Sequence, residues 1–247
     1  MNEGITIQNL HVSYSGKEVL KNVSFSFKTG NLIGILGPNG AGKSTLMKAI
    51  LGLIPHDRGS VSIGDRPLKE MRKQIAYVPQ RSNIDWDFPI IVKDTVLLGT
   101  YPKLGLFHRP KKSDKDWAIT CLEKVGMEEF ANSQIGELSG GQQQRVFLAR
   151  ALAQNADYFF LDEPFVGIDA GSEEVIINML RDLQQQGKTI FVVHHDLSKV
   201  KEYFDELILI NKELYGAGPV QTVFQAKNME KAYGMPFTMA GSMGGGM

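Results

Sequence analysis

Three patterns predict an α/β fold with a mostly parallel core, antiparallel strands at the N-terminus and an inserted helical subdomain. From about residue 158 onward short apolar strands alternate with helices, which implies a parallel sheet flanked by helices. Ile5 and Ile7, Val12 and Tyr14, and then Val23, Phe25 and Phe27 alternate with polar residues, the pattern of half-buried antiparallel strands. Between about 81 and 144 strand patterns give way to helical ones.

In chain order, Asn31 to Leu36 is a short apolar run bounded by glycine, the pattern of a strand buried on both faces. A glycine-rich turn follows, then a helix predicted from about Ser44 to Leu53 and stopped before Pro55. Val61, Ile63 and Ile75 to Val78 read as further strands. A helix is predicted from Ser113, with Asp116 in capping-box spacing; Trp117, Cys121, Leu122 and Val125 share its face and Gly126 closes it. Another runs from near Gly140 to about Asn155. Tyr158 to Leu161, a helix from Glu173 to Gln186 closed by Gly187, Ile190 to Val193, Leu207 to Ile210 and Leu214-Tyr215 complete the core. The expected division is a core over 1–80 and 145–215, a helical subdomain over 81–144, and a C-terminal extension over 216–247 whose glycine-rich end, Gly241 to Met247, reads as disordered.

Composition excludes several classes. The 247 residues carry 27 Lys and Arg against 27 Asp and Glu, and zero net charge argues against bulk electrostatic binding of nucleic acid or anionic lipid. The single cysteine, Cys121, rules out an internal disulfide framework and reads as a small buried residue. No apolar run reaches the roughly 18–20 residues of a membrane helix, and Met1-Asn2-Glu3-Gly4 opens no signal peptide. The expectation is a soluble, intracellular protein, in which any membrane role must come through a partner.

Gly37-Pro38-Asn39-Gly40-Ala41-Gly42-Lys43-Ser44, followed by Thr45, matches the phosphate-loop pattern between a buried strand and a helix. Glycines let backbone N–H groups curl around phosphate oxygens, and the helix N-terminus adds partial positive charge. Lys43 supplies a point charge for the β- and γ-phosphates, and Ser44 a hydroxyl for Mg²⁺. Tyr158-Phe159-Phe160-Leu161-Asp162-Glu163 is an apolar strand delivering two carboxylates to the sheet edge where ligands of such folds sit. Asp162 suits Mg²⁺, and Glu163 suits orienting and deprotonating an attacking water. Leu138-Ser139-Gly140-Gly141-Gln142 opens a helix and offers a second anion cradle. One ATP already has its loop, so the second cradle points to a neighbour's ATP.

These motifs, in this order, resemble the signature set of the ABC ATPase family over about residues 5 to 225. The resemblance implies that Tyr14 stacks on adenine, and that Gln80 touches Mg²⁺ and the water and senses a membrane partner. It implies that Asp169 lies on the loop connecting two sites and that His195 contacts the γ-phosphate. His194 stands where threonine or serine is common in the family and is read as having no separate role. Val166-Gly167-Ile168 departs from the family's usual loop, so only Asp169 is carried over. The implied mechanism is a head-to-tail homodimer. Each ATP lies between Lys43 and Ser44 of one chain and Ser139, Gly140, Gly141 and Gln142 of the other, with Glu163, His195, Gln80 and Lys43 catalytic.

Ala76-Tyr77-Val78-Pro79-Gln80-Arg81-Ser82-Asn83-Ile84-Asp85-Trp86-Asp87-Phe88-Pro89 and Leu161 to Asp169 resemble the importers of manganese, zinc or ferrous iron. That likeness implies an integral membrane permease as partner, an extracellular metal-binding lipoprotein indirectly, and a cytoplasmic position on the inner face of the membrane. Manganese ranks first, with zinc or ferrous iron as alternatives. A soluble ABC ATPase acting on translation or DNA is the alternative of another class; the long coiled coils or fused second cassette of such proteins are missing here. Trp86, Phe88 and Pro89 either line a groove for a partner's helix or pack within the subdomain.

Overall fold

The computed structural model describes residues 4–64, 66–104 and 108–236. Along the chain run β1 (Ile5–Tyr14), β2 (Lys17–Phe27), β3 (Leu32–Leu36), α1 (Lys43–Ile50), β4 (Arg58–Ile63), β5 (Arg66–Pro67), β6 (Ile75–Val78) and α2 (Val92–Leu97). They continue with α3 (Lys112–Glu123), α4 (Gly140–Ala153), β7 (Tyr158–Asp162), α5 (Ala170–Gln185), β8 (Thr189–Val193), β9 (Glu206–Asn211), β10 (Glu213–Pro219) and α6 (Ala226–Tyr233). Short helical turns join several of them. The predicted α/β class, with N-terminal antiparallel strands, a mostly parallel core and a helical region, is what the chain adopts. The glycine-rich end, Gly241 to Met247, lies outside the described residues. No described helix is long and apolar enough to cross a membrane.

The chain divides into two compact units. The first comprises the chain up to Arg72 and from Thr189 onward. In it β2, β1, β4 and β5 form an antiparallel sheet, and β10, β9, β3 and β8 lie side by side in that order. β3 is parallel to both β8 and β9, while β10 returns antiparallel to β9. Ser15 and Gly16 join β1 to β2, both at positive φ (48° and 78°), the requirement of a tight hairpin turn. All five residues of β3 and of β8 are buried, which accounts for their unbroken apolar sequence. Leu46, Met47 and Ile50 place the apolar face of α1 in this core. Each such side chain contributes about 1.5–3 kcal/mol on burial.

The second unit is Lys73–Lys188. β6 and β7 pair in parallel, Ile75 to Val78 against Tyr158 to Leu161. Helices α2, α3 and α4 pack on one another, and the Trp117 indole N–H of α3 donates to the Ala153 carbonyl at the end of α4, 3.1 Å away.

Several boundaries differ from expectation for identifiable reasons. α1 ends at Ile50, not Leu53, because Gly52 adopts φ 64° and a Schellman cap closes the helix. In that cap the Leu53 N–H bonds to Lys48 O and the Gly52 N–H to Ala49 O. α3 starts at Lys112, one residue early: Asp114, rather than Asp116, reaches back to the Lys111 N–H at 2.7 Å. α5 starts at Ala170, three residues before the predicted Glu173, because Asp169 caps it. The short strand β5 and the helix α6 were not anticipated.

Candidate functional site

The phosphate loop belongs to the first unit. Gly37 follows β3 directly; a Cβ there would lie 2.0 Å from the Ile210 carbonyl oxygen. The turn itself, Pro38 to Ala41, is closed by the Ala41 N–H donating to Pro38 O (3.1 Å), with Asn39 and Gly40 at its tip. Gly42 precedes α1 at φ 93°, a left-handed conformation, and a Cβ there would meet Leu20 Cδ2 at 2.7 Å. No side chain caps α1 and its first turn holds no acid, so the N-terminal partial charge of the helix is not neutralised locally. Lys43 is the first residue of α1 and is buried, its ammonium donating to Gly37 O (2.8 Å) and Pro38 O (3.0 Å). That places the charge across its own loop. Ser44 and Thr45 follow on the same first turn, half-buried.

Also in this unit, Tyr14 ends β1 beside the hairpin turn and is 46% exposed. His195 is exposed just beyond β8, whereas its neighbour His194 is 1% exposed. The His194 ring sits among Tyr203, Phe204 and His195, with ring centres 5.4–5.9 Å away. Burial, and then the nearby His195 charge, push its pKa down to about 4, so His194 is a neutral packing group.

The acidic strand end and the second glycine motif belong to the second unit. Asp162 is the last residue of β7 and 1% exposed. Tyr77 on β6 feels it: burial first, and then the Asp162 charge, push the phenol up to about 12. Glu163 follows at φ 53°, an outlier for a side-chain-bearing residue that costs about 1–3 kcal/mol. Its carboxylate accepts a hydrogen bond from Gln80 Nε2 at 2.7 Å. The glutamine and the carboxylate are thus brought together across 83 residues of sequence.

Ser139 caps α4: its hydroxyl accepts from the Gln142 N–H (3.4 Å), and the Gln142 side chain accepts from the Ser139 N–H (2.8 Å). Gly140 and Gly141 form the first turn. A Cβ on Gly141 would lie 2.7 Å from Ser172 Oγ and 3.1 Å from Asp169 Oδ2. Asp169 is itself the cap of α5, accepting from the Ser172 N–H and hydroxyl, each at 2.9 Å. Those two bonds, the backbone one foremost, hold its carboxyl below the usual range. Sequence reasoning missed Arg81, whose guanidinium bonds Gln143 of α4. No local pattern signals a pair 62 residues apart.

Residues 20–166 match the ABC transporter family. The chain belongs to that family. It is 55% identical over 233 residues to the manganese transport system ATP-binding protein MntB of Halalkalibacterium halodurans, covering 94% of this chain and 93% of the relative. It is 50% identical over 230 residues to the zinc transport system ATP-binding protein TroB of Treponema pallidum, covering 93% and 86%. Among solved structures it is similar to a chain of an ABC transporter in an inward-facing conformation, at 27% identity and TM-score 0.84 over 96% of this chain and 90% of that one. This ABC protein is an ATP-binding, ATP-hydrolysing cassette.

Proposed function

We propose that the chain is the motor of an importer for divalent transition metal ions, manganese foremost, acting as a head-to-tail homodimer on a membrane permease at the inner face of the membrane. The observation that carries the motor reading is the 2.7 Å bond from Gln80 to Glu163 at the end of an apolar strand. It fixes the position of a carboxylate, and a general base must be held in place to take a proton. In this reading Lys43 and the loop Gly37 to Thr45 hold the phosphates, and Tyr14 stacks on the adenine. Ser139, Gly140, Gly141 and Gln142 of the second copy close over the γ-phosphate, and the Asp169 loop joins the two sites. Glu163 takes the proton of the attacking water, and His195 orients the γ-phosphate.

Ser44 would offer Mg²⁺ a hydroxyl, Asp162 a carboxylate and Gln80 an amide carbonyl, each a hard oxygen ligand. Bound there, the ion would neutralise phosphate charge. Dividing the chain into a core over 1–80 and 145–215, a subdomain over 81–144 and an extension from 216 follows the motifs. The permease is assigned to a groove of about 210 Å³ in the second unit, walled by Trp86, Phe88, Ile90, Leu98 and Phe147. Phe88 is 59% exposed and Leu98 47% exposed, an apolar surface suited to a partner's helix. A lipoprotein outside the cell would select the ion by ligand type and geometry, without touching this chain.

The manganese assignment rests on the relatives named for manganese transport, and that of zinc on the Treponema relative. Disrupting the gene should lower cellular manganese and slow growth in manganese-poor medium, with rescue by added manganese. Rescue by zinc alone would make zinc the cargo. Unchanged manganese, zinc and iron contents, in a strain with no duplicate system, would discard the metal reading.

A further inference from the structure

We propose that Arg81 is a positioning residue that ties the glutamine loop, the start of α4 and the groove wall into one latch. The proposal rests on the motor reading above and adds to it a residue beyond Gln80. Four contacts converge on Arg81. Its Nε and Nη2 both donate to Gln143 Oε1, at 3.1 and 2.8 Å. Gln143 is 3% exposed and its amide donates to Ile135 O, so its carbonyl is fixed in place before Arg81 arrives. The Arg81 carbonyl accepts from the Trp86 indole N–H at 3.0 Å, and its guanidinium carbon stands 5.6 Å from the centre of that ring. A Cβ on Gly140 would lie 3.2 Å from the same guanidinium carbon, so the plane of Arg81 covers the first turn of α4.

The neighbours give these contacts a direction. Gln80, bonded to Glu163, is the preceding residue. Trp86 packs edge-on against Phe147 of α4 at 5.1 Å, and both line the apolar groove. A segment pressing into the groove moves Trp86. Trp86 moves the Arg81 backbone, and that backbone carries Gln80 on one side and the grip on Gln143 on the other. The bidentate guanidinium is what makes the grip directional; an ammonium would offer one point charge without the planar fork.

Trp86 and Trp117 are the two tryptophans of the chain, so Trp117→Phe leaves Trp86 as sole reporter. Titrating that variant with ATP and Mg²⁺ should change the Trp86 emission in step with ATP binding measured by equilibrium dialysis. Adding Arg81→Ala or Arg81→Lys should abolish the emission change while ATP still binds, and so should Gln143→Leu, which removes the acceptor of the Arg81 grip. In the otherwise unaltered chain, Arg81→Ala should lower kcat by up to about 10²-fold, the scale of an ångström's misplacement, with the KM for ATP unchanged. An emission response that persists without Arg81, or is missing with Arg81 and Gln143 present and ATP bound, overturns the latch alone. Failure of the unaltered chain to bind ATP overturns both the latch and the motor reading; where only the Trp117→Phe chain fails, the Arg81→Ala kinetics in the otherwise unaltered chain decide the latch.

Discussion

Glu163, the proposed general base, has a strained backbone at φ 53° and a side chain held by Gln80. Glu163→Gln should lower steady-state hydrolysis by about 10²–10⁴-fold while calorimetry still records ATP binding, since the phosphate loop is unaltered. Near-normal turnover would remove Glu163 from the role. His194 sets a pH dependence of stability. Its folded-state pKa of about 4 lies below the ordinary 6.5, so the folded form resists protonation. Its contribution is complete above pH 6.5 and is lost as pH falls toward 4, on the order of 3 kcal/mol in total. Urea unfolding between pH 6.5 and 4.5 should show this slope, and His194→Phe, which keeps an aromatic among Tyr203 and Phe204, should flatten it. An unchanged slope would assign the effect elsewhere. The phosphate loop was legible in sequence because its chemistry dictates residue types at fixed spacing. The contrast between His194 and His195 came only from the family resemblance, because within the chain only burial separates them.

The start of α5 and the start of α4 are locked to each other through Asp169. Its carboxylate caps α5 through Ser172, and Gly141 of α4 packs against that same pair. Asp169→Ala should cost about 0.5–2 kcal/mol of stability, the ordinary value of a lost N-cap, and Asp169→Asn less, since the amide oxygen can still accept. Chemical unfolding measures both; equal losses would mean that the charge, not the cap, matters. Element types were legible where periodicity was long, as in α4 and α5, or unbroken, as in β3 and β7. Boundaries were not, because single cap residues decide them. Asp169 moved the start of α5 forward by three residues, and Gly52 ended α1 before Pro55 could. The Arg81–Gln143 pair was invisible because long-range side-chain contacts leave no periodic trace.

At the scale of the whole molecule, the residues of the proposed site fall in two units. The phosphate loop, Tyr14 and His195 lie in the unit holding α1; Gln80, Asp162, Glu163 and the Ser139 turn, the other residues of the proposed site, lie in the unit holding β7. Motif order made this inventory readable along the chain, but sequence places no residue of one copy against another. The proposed head-to-tail dimer therefore rests on the second glycine motif, and it makes a sharp demand. Lys43→Ala damages the loop of its own chain, and Ser139→Arg damages the turn that closes over the partner's ATP. Each variant alone has two damaged sites per dimer. In a mixed dimer both lesions fall on one site and the other is intact. The most direct measurement is ATP hydrolysis by Lys43→Ala and Ser139→Arg chains, separately and then mixed in equal amounts. The shared-site account requires both to be inactive alone and the mixture to regain roughly one quarter of the unmodified rate, from random pairing. A mixture as inactive as its parts, or Ser139→Arg chains fully active alone, would contradict it.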